Sequence, residues 1–218
     1  VNQIANVTNV LPPSFQSDVS NVSCYGFQDG YIDITMANFQ FPLNYLWSTG
    51  SFSEDLFNIG PGTYILTITD GTELSSIDTF IISQPDSLDI FSIIDNVQCF
   101  GGNSGSIDAE ISGGTPPYLF TWSNGATTED IYNIPAMSYL LSVVDQNNCS
   151  LSQSYNVTQP NNLNTTIITS NASDAGICDG SIDISISGGT PPYTYQWSNG
   201  GTDEDLTQAC LGYYSCTI

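Results

Sequence analysis

The chain has 218 residues, with 22 Asp and Glu against no Lys, Arg or His, a formal net charge of −22 at pH 7. Nucleic-acid phosphates and anionic lipid need cationic partners, so composition excludes both as ligands. Apolar residues at 40% and aromatics at 11% supply a core and set the chain apart from disordered acidic tails.

The chain opens on Ile4-Ala5-Asn6-Val7-Thr8-Asn9-Val10-Leu11-Pro12-Pro13, which matches Ser154-Tyr155-Asn156-Val157-Thr158-Gln159-Pro160 further on. Residues 1–12 therefore read as the final strand of a preceding repeat. Repeat one follows over 13–86, repeat two over 87–161 and repeat three over 162–218, the last stopping short of a full unit. Trp47, Trp122 and Trp197 stand 75 residues apart, as do Gly30, Gly105 and Gly180, and Tyr64, Tyr139 and Tyr214. Beginning and ending inside repeats, the sequence reads as a window on a longer array.

Within each repeat the hydrophobic period is two. Ile32, Ile34 and Met36 share one face of a predicted strand, as do Ile107, Ala109 and Ile111, and Ile182, Ile184 and Ile186. A turn rich in Gly, Thr and Pro comes next, then a strand whose inward set is Leu43, Tyr45 and Trp47, or Tyr118, Phe120 and Trp122, or Tyr193, Tyr195 and Trp197. Asn124-Gly125 and Asn199-Gly200 are tight-hairpin dipeptides, since both positions tolerate positive φ. Gly62–Asp70 and Ser138–Asp145 give a further strand, and Gln84-Pro85 and Gln159-Pro160 mark the joints. The pattern predicts an all-β chain of tandem immunoglobulin-like (PKD-like) sandwiches, about seven short strands in each repeat, stacked as a rod. No stretch of about 18 apolar residues exists to insert into a membrane.

The acids recur with the same period. Glu54-Asp55, Glu129-Asp130 and Glu204-Asp205, with Asp203 beside the last pair, precede an apolar residue; Asp33, Asp108 and Asp183 sit on outward strand positions. Two readings stand: hard oxygen ligands for calcium, the one cofactor considered, or solvated charges that keep strand edges from aggregating. Catalysis has no footing, because Ser and Cys lack a His or Lys base and the paired acids repeat identically in every unit. The repeated aromatics read as core, whereas Tyr25, Phe27 and Phe100 read as exposed loop contacts.

The run Cys99-Phe100-Gly101-Gly102 to Ile134, with Gly113-Gly114-Thr115-Pro116-Pro117-Tyr118 and Trp122-Ser123-Asn124-Gly125, closely resembles the SprB-type repeat of very large surface adhesins of gliding bacteria. The resemblance extends over Gly188–Gly200 and, with Asn38, Phe39 and Phe41 replacing the Gly pair and first Pro, over repeat one. It implies a protein exported by the type IX route to the cell surface, serving adhesion and gliding. A structural stalk segment is then the leading function; carbohydrate-binding modules acting by avidity, or subunits of a self-assembling filament, are the alternatives. The partners expected are neighbouring repeats, surface polysaccharide or other copies of the chain.

The resemblance also pairs Cys99 with Cys149. Across a strand of about seven residues those two would lie about 24 Å apart, against the roughly 7 Å a disulfide tolerates. A Cys24–Cys149 bond between repeats is the alternative. Cys178 and Cys210 fall at one end of a sandwich and suit a bond; Cys216, on a core-facing position, suits a buried thiol. Asp86-Ser87-Leu88 resembles the O-glycosylation acceptor of that bacterial group, with chance occurrence the alternative for Ser87. Chance equally accounts for the sequons at Asn6, Asn21, Asn148, Asn156, Asn164 and Asn171.

Overall fold

Every regular element in the computed structural model, which describes residues 11–218, is a β-strand. The strand foreseen within 1–12 therefore falls, apart from Leu11 and Pro12, outside the described residues. No helix among those described is long and apolar enough to cross a membrane.

Repeat one contains β1 (Ser14–Ser20), β2 (Gly30–Asn38), β3 (Asn44–Trp47), β4 (Leu56–Ile59), β5 (Gly62–Thr69) and β6 (Ser75–Ile82). They form two antiparallel sheets of order β1-β2-β4 and β3-β5-β6. Ile32 and Ile34 of the first sheet meet Trp47, Leu66, Ile68, Phe80 and Ile82 of the second in one buried core. The period-two pattern dictates this, because only alternate side chains of a strand can face the opposing sheet. The rings of Trp47 and Phe80 lie 5.7 Å apart at its centre.

Repeat two has the same six positions: β7 (Asp89–Asp95), β8 (Gly105–Ser112), β9 (Leu119–Trp122), β10 (Ile131–Ile134), β11 (Ser138–Val144) and β12 (Ser150–Asn156). Their sheets run β10-β8-β7 and β12-β11-β9, with Trp122 5.8 Å from Tyr155. Repeat three has β13 (Asn164–Ser170), β14 (Gly180–Ser187), β15 (Gln196–Trp197), β16 (Leu206–Ala209) and β17 (Cys216–Thr217). Its sheets are β13-β14-β16 and the two-stranded β15-β17.

The architecture is thus all-β and tandem immunoglobulin-like. Each of the first two repeats uses six strands rather than seven. A tyrosine corner recurs: Tyr64, Tyr139 and Tyr214 donate to the carbonyls of Gly60, Pro135 and Cys210 at 2.9, 2.9 and 3.1 Å. The described residues divide into two compact units, one of residues up to Ile90 with Ile111–Phe120 and Ser142–Ser152, the other of Phe91–Glu110 with Thr121–Leu141 and Gln153–Ile218.

Candidate functional site

The loop after β1 is drawn tight by Asp29, whose carboxylate accepts the Ser23 amide at 3.0 Å and the Ser23 hydroxyl. Those bonds hold the Asp29 carboxyl below its ordinary value. Gly26, at φ +78°, donates to Gln84 Oε1 at 2.9 Å, pinning the loop to the segment after β6. Cys24 is thereby turned inward and buried.

Facing it is the turn between β11 and β12, organised by Asp145. This carboxylate is only 3% exposed. Its Oδ1 accepts the amides of Asn147 and Cys149 at 2.9 and 2.8 Å, and its Oδ2 that of Thr115 at 2.8 Å. With no cation in the sequence, backbone amides alone solvate the buried charge. Asp70 holds the same place in repeat one but has a side-chain donor as well: it accepts the Thr72 hydroxyl and amide and the Gln40 amide, and the Thr72 hydroxyl foremost lowers its carboxyl.

The two segments are bonded covalently. Cys24 and Cys149 form a disulfide with Cα atoms 5.7 Å apart, across 125 residues of sequence. Asn147 Nδ2 donates to the Ser23 carbonyl at 3.0 Å and to Thr115 Oγ1 at 3.2 Å beside it. A groove of about 250 Å³ opens over the bond, walled by Tyr25, Phe27, Leu88, Asn148 and Leu151.

This corrects the pairing of Cys99 with Cys149. Cys99 carries an exposed free thiol. The length of β8 separates the two ends of a sandwich, so Cys149 meets the loop of the preceding repeat and not that of its own. Cys178 is joined to Cys210, and Cys216 is a half-buried thiol.

The repeated acids do other work. Asp55, Asp130 and Asp205 each accept one strand amide through Oδ1, from Ile34, Ala109 and Ile184 at 2.8, 2.9 and 3.0 Å. Glu54 accepts the Tyr45 hydroxyl at 2.9 Å, and burial together with that bond pushes the phenol up to about 12. Glu129, Asp203 and Glu204 are exposed, as are Asp33, Asp108 and Asp183 on their strands. Among the described residues no three Asp, Glu, Cys or His side chains come together to hold a metal ion. Ser87 is exposed, with its hydroxyl 3.4 Å from the Leu88 carbonyl. Tyr25, Phe27 and Phe100 lie in exposed loops, while Trp47, Trp122 and Trp197 are buried.

Asp70 and Asp145 escaped the sequence reading, although their 75-residue spacing after "ITD" and "VVD" could have found them. Gln84 and Gln159, joint markers in the sequence, are also acceptors in the structure: Gln159 accepts the Gly101 amide at 2.8 Å.

A family model described as SprB repeat matches residues 16–52, 92–127 and 166–202, together just over half of the chain. No curated protein matches the chain. Among solved structures, a three-domain immunoglobulin segment of titin is similar at 11% identity and a TM-score of 0.40, covering 87% of this chain and 80% of that one. Immunoglobulin domains 1–5 of Sidekick-1 are similar at 9% identity and a TM-score of 0.44 over 96% of this chain, which spans 56% of theirs. The N-terminal immunoglobulin domains of Down Syndrome Cell Adhesion Molecule give 13% identity and a TM-score of 0.39 over 85% of this chain and 32% of theirs. Matched by its family model once in each of its three repeats, the chain belongs to the SprB repeat family.

Proposed function

We propose that the chain is a stalk segment of a secreted cell-surface adhesin, exported by the type IX route, and that its work is to carry tension between the cell and a distant contact. The observation that carries the reading is the Cys24–Cys149 disulfide, which ties a loop of repeat one to a turn of repeat two. Force entering before Cys24 and leaving after Cys149 passes through the bond. The strands between them, β2 to β11, are bypassed and keep their fold under load. Membership of the SprB family and disulfides suited to an oxidising compartment support the surface location.

Single-molecule stretching tests the reading. The sequence separation of 125 between the two cysteines corresponds to about 430 Å of extended chain. Oxidised protein should withhold that length, and reduction or Cys24→Ser should release it. Equal extension of the oxidised wild type and of oxidised Cys24→Ser would refute the tension-bearing role.

A further inference from the structure

The two outer faces of repeat one differ in chemistry. On β1-β2-β4 the outward positions carry acids, with Asp18 directly opposite Asp33 and the Tyr31 hydroxyl donating to Asp18 at 2.9 Å. On β3-β5-β6 they carry none. Leu46, Thr67 and Ile77 make one row across the three strands, beside Ile65 opposite Thr79 and Thr63 opposite Ile81. The alternate residues Trp47, Leu66, Phe80 and Ile82 are buried, so these side chains point to solvent; Ile77 is 67% exposed and Ile81 71%.

Repeat two supplies the control. Its strand β12 pairs with β11 as β6 pairs with β5, and on the 75-residue period Ser152, Ser154 and Asn156 stand in place of Ile77, Thr79 and Ile81. Thr121 likewise replaces Leu46, and of the four aliphatics only Ile65 keeps an apolar copy, Leu140. The same sheet therefore forms with hydroxyls and an amide on its outer face. Neither the core nor strand pairing calls for Ile77 and Ile81, and a contiguous apolar face left in water marks a contact.

Charge narrows what can cover it. The chain has 22 acids and no cationic side chain, so the side chains of one copy offer those of another no ion pair, and approach through an acid-bearing face meets repulsion. The face of β3-β5-β6 is free of that cost. A two-fold axis through it sets like rows of Leu46, Ile65, Ile77 and Ile81 against each other and leaves the acids at the rim. Three strands at about 4.8 Å and up to eight residues at about 3.3 Å give roughly 300–400 Å² on each copy. The pair then buries about 700 Å², below the roughly 1,200 Å² of stable interfaces. Such a contact is reversible and driven by concentration.

We propose that this face pairs with the same face of a second copy of this chain, stacking the two sheets about 10 Å apart. Burial of the aliphatic rows supplies the attraction. The absence of acids on the face admits a partner that the acidic surface repels, and the Ser and Asn side chains of repeat two leave its equivalent face hydrated.

Sedimentation equilibrium of the full chain carrying Cys99→Ser, which removes the exposed thiol, reads the association. The weight-average mass should rise toward that of a dimer between about 10 μM and about 1 mM. Ile77→Ser/Ile81→Asn, the residues that repeat two carries, should shift that rise to at least about tenfold higher concentration. Ile77→Thr/Ile81→Thr, which keeps the branched side chains that strands favour, should shift it likewise. Ile93→Ser, at a 56% exposed position on β7, should leave it in place. Raising salt from about 0.01 M to about 1 M should strengthen the association, because only repulsion is screened. A mass that stays monomeric to about 1 mM, a rise indifferent to both double variants or equally sensitive to Ile93→Ser, or an association weakened by salt would overturn the proposal.

Discussion

The Asp145 carboxylate holds three amides in a buried turn, whereas Glu129, one of the repeated acids, points into solvent. Asp145→Ala leaves those amides unpaired and should lower unfolding stability by about 2–4 kcal/mol. Glu129→Ala should stay within about 0.5 kcal/mol in the same denaturant titration. The carboxylates of Asp29, Asp70 and Asp179 sit below the ordinary 3.8, each held there chiefly by a hydroxyl, from Ser23, Thr72 and Ser173. A depressed carboxyl contributes stability that is present above its unfolded value and lost as pH falls through the folded one. Acid unfolding should therefore set in below 3.8, even though protonating the exposed acids first relieves repulsion. At the alkaline end the sign reverses. Tyr45 favours its neutral form up to about 12, so its contribution is complete below the ordinary 10.0 and lost as pH rises from there to about 12. Tyr45→Phe should flatten that limb of a pH titration of the unfolding midpoint. Because Asp55, Asp130 and Asp205 spend an oxygen on a strand amide and no third acid joins them among the described residues, millimolar calcium should leave the midpoint unmoved.

At the scale of the element, the turn after β8 shows why the Gly pair recurs. Gly113 has φ +71°, and a Cβ there would overlap the Ser87 carbonyl; Gly188 repeats this against Asn162. Gly125 also has positive φ, +88°, but nothing lies within 4 Å of its would-be Cβ. Gly113→Ala should thus cost well over the roughly 1 kcal/mol expected of Gly125→Ala, compared by thermal unfolding. The strands were legible because alternation of Ile32, Ile34 and Met36 leaves one way to face a core, and the hairpin dipeptides and Trp spacing located the turns. The family was legible from the Gly-Gly-Thr-Pro-Pro-Tyr run. The disulfide partner was legible only as an alternative: the resemblance offered Cys99, while strand length, which sets Cys99 and Cys149 at opposite ends of one sandwich, left Cys24 as the other choice, and the structure takes Cys24. Asp145 was hidden for another reason. A lone acid at a strand end looks like a solvated turn residue until the three amides converging on it are seen.

At the scale of the whole molecule, electrostatics acts in one direction. A chain with 22 acids and no Lys, Arg or His has no side-chain ion pair to lose when salt is added. What remains is repulsion among like charges, and this falls as the screening length drops from about 30 Å at 0.01 M to about 3 Å at 1 M salt. In most proteins screening removes attractions and repulsions together, so its net effect on stability is small and of either sign. Here only repulsions are removed, from the folded chain more than from the unfolded one, because folding brings the charges closer. The unfolding midpoint should therefore climb steadily with sodium chloride across that range, and equally with potassium chloride, because screening does not distinguish the two cations. A midpoint that fell with salt, or that rose for one cation alone, would mean that bound ions and not diffuse screening govern this surface.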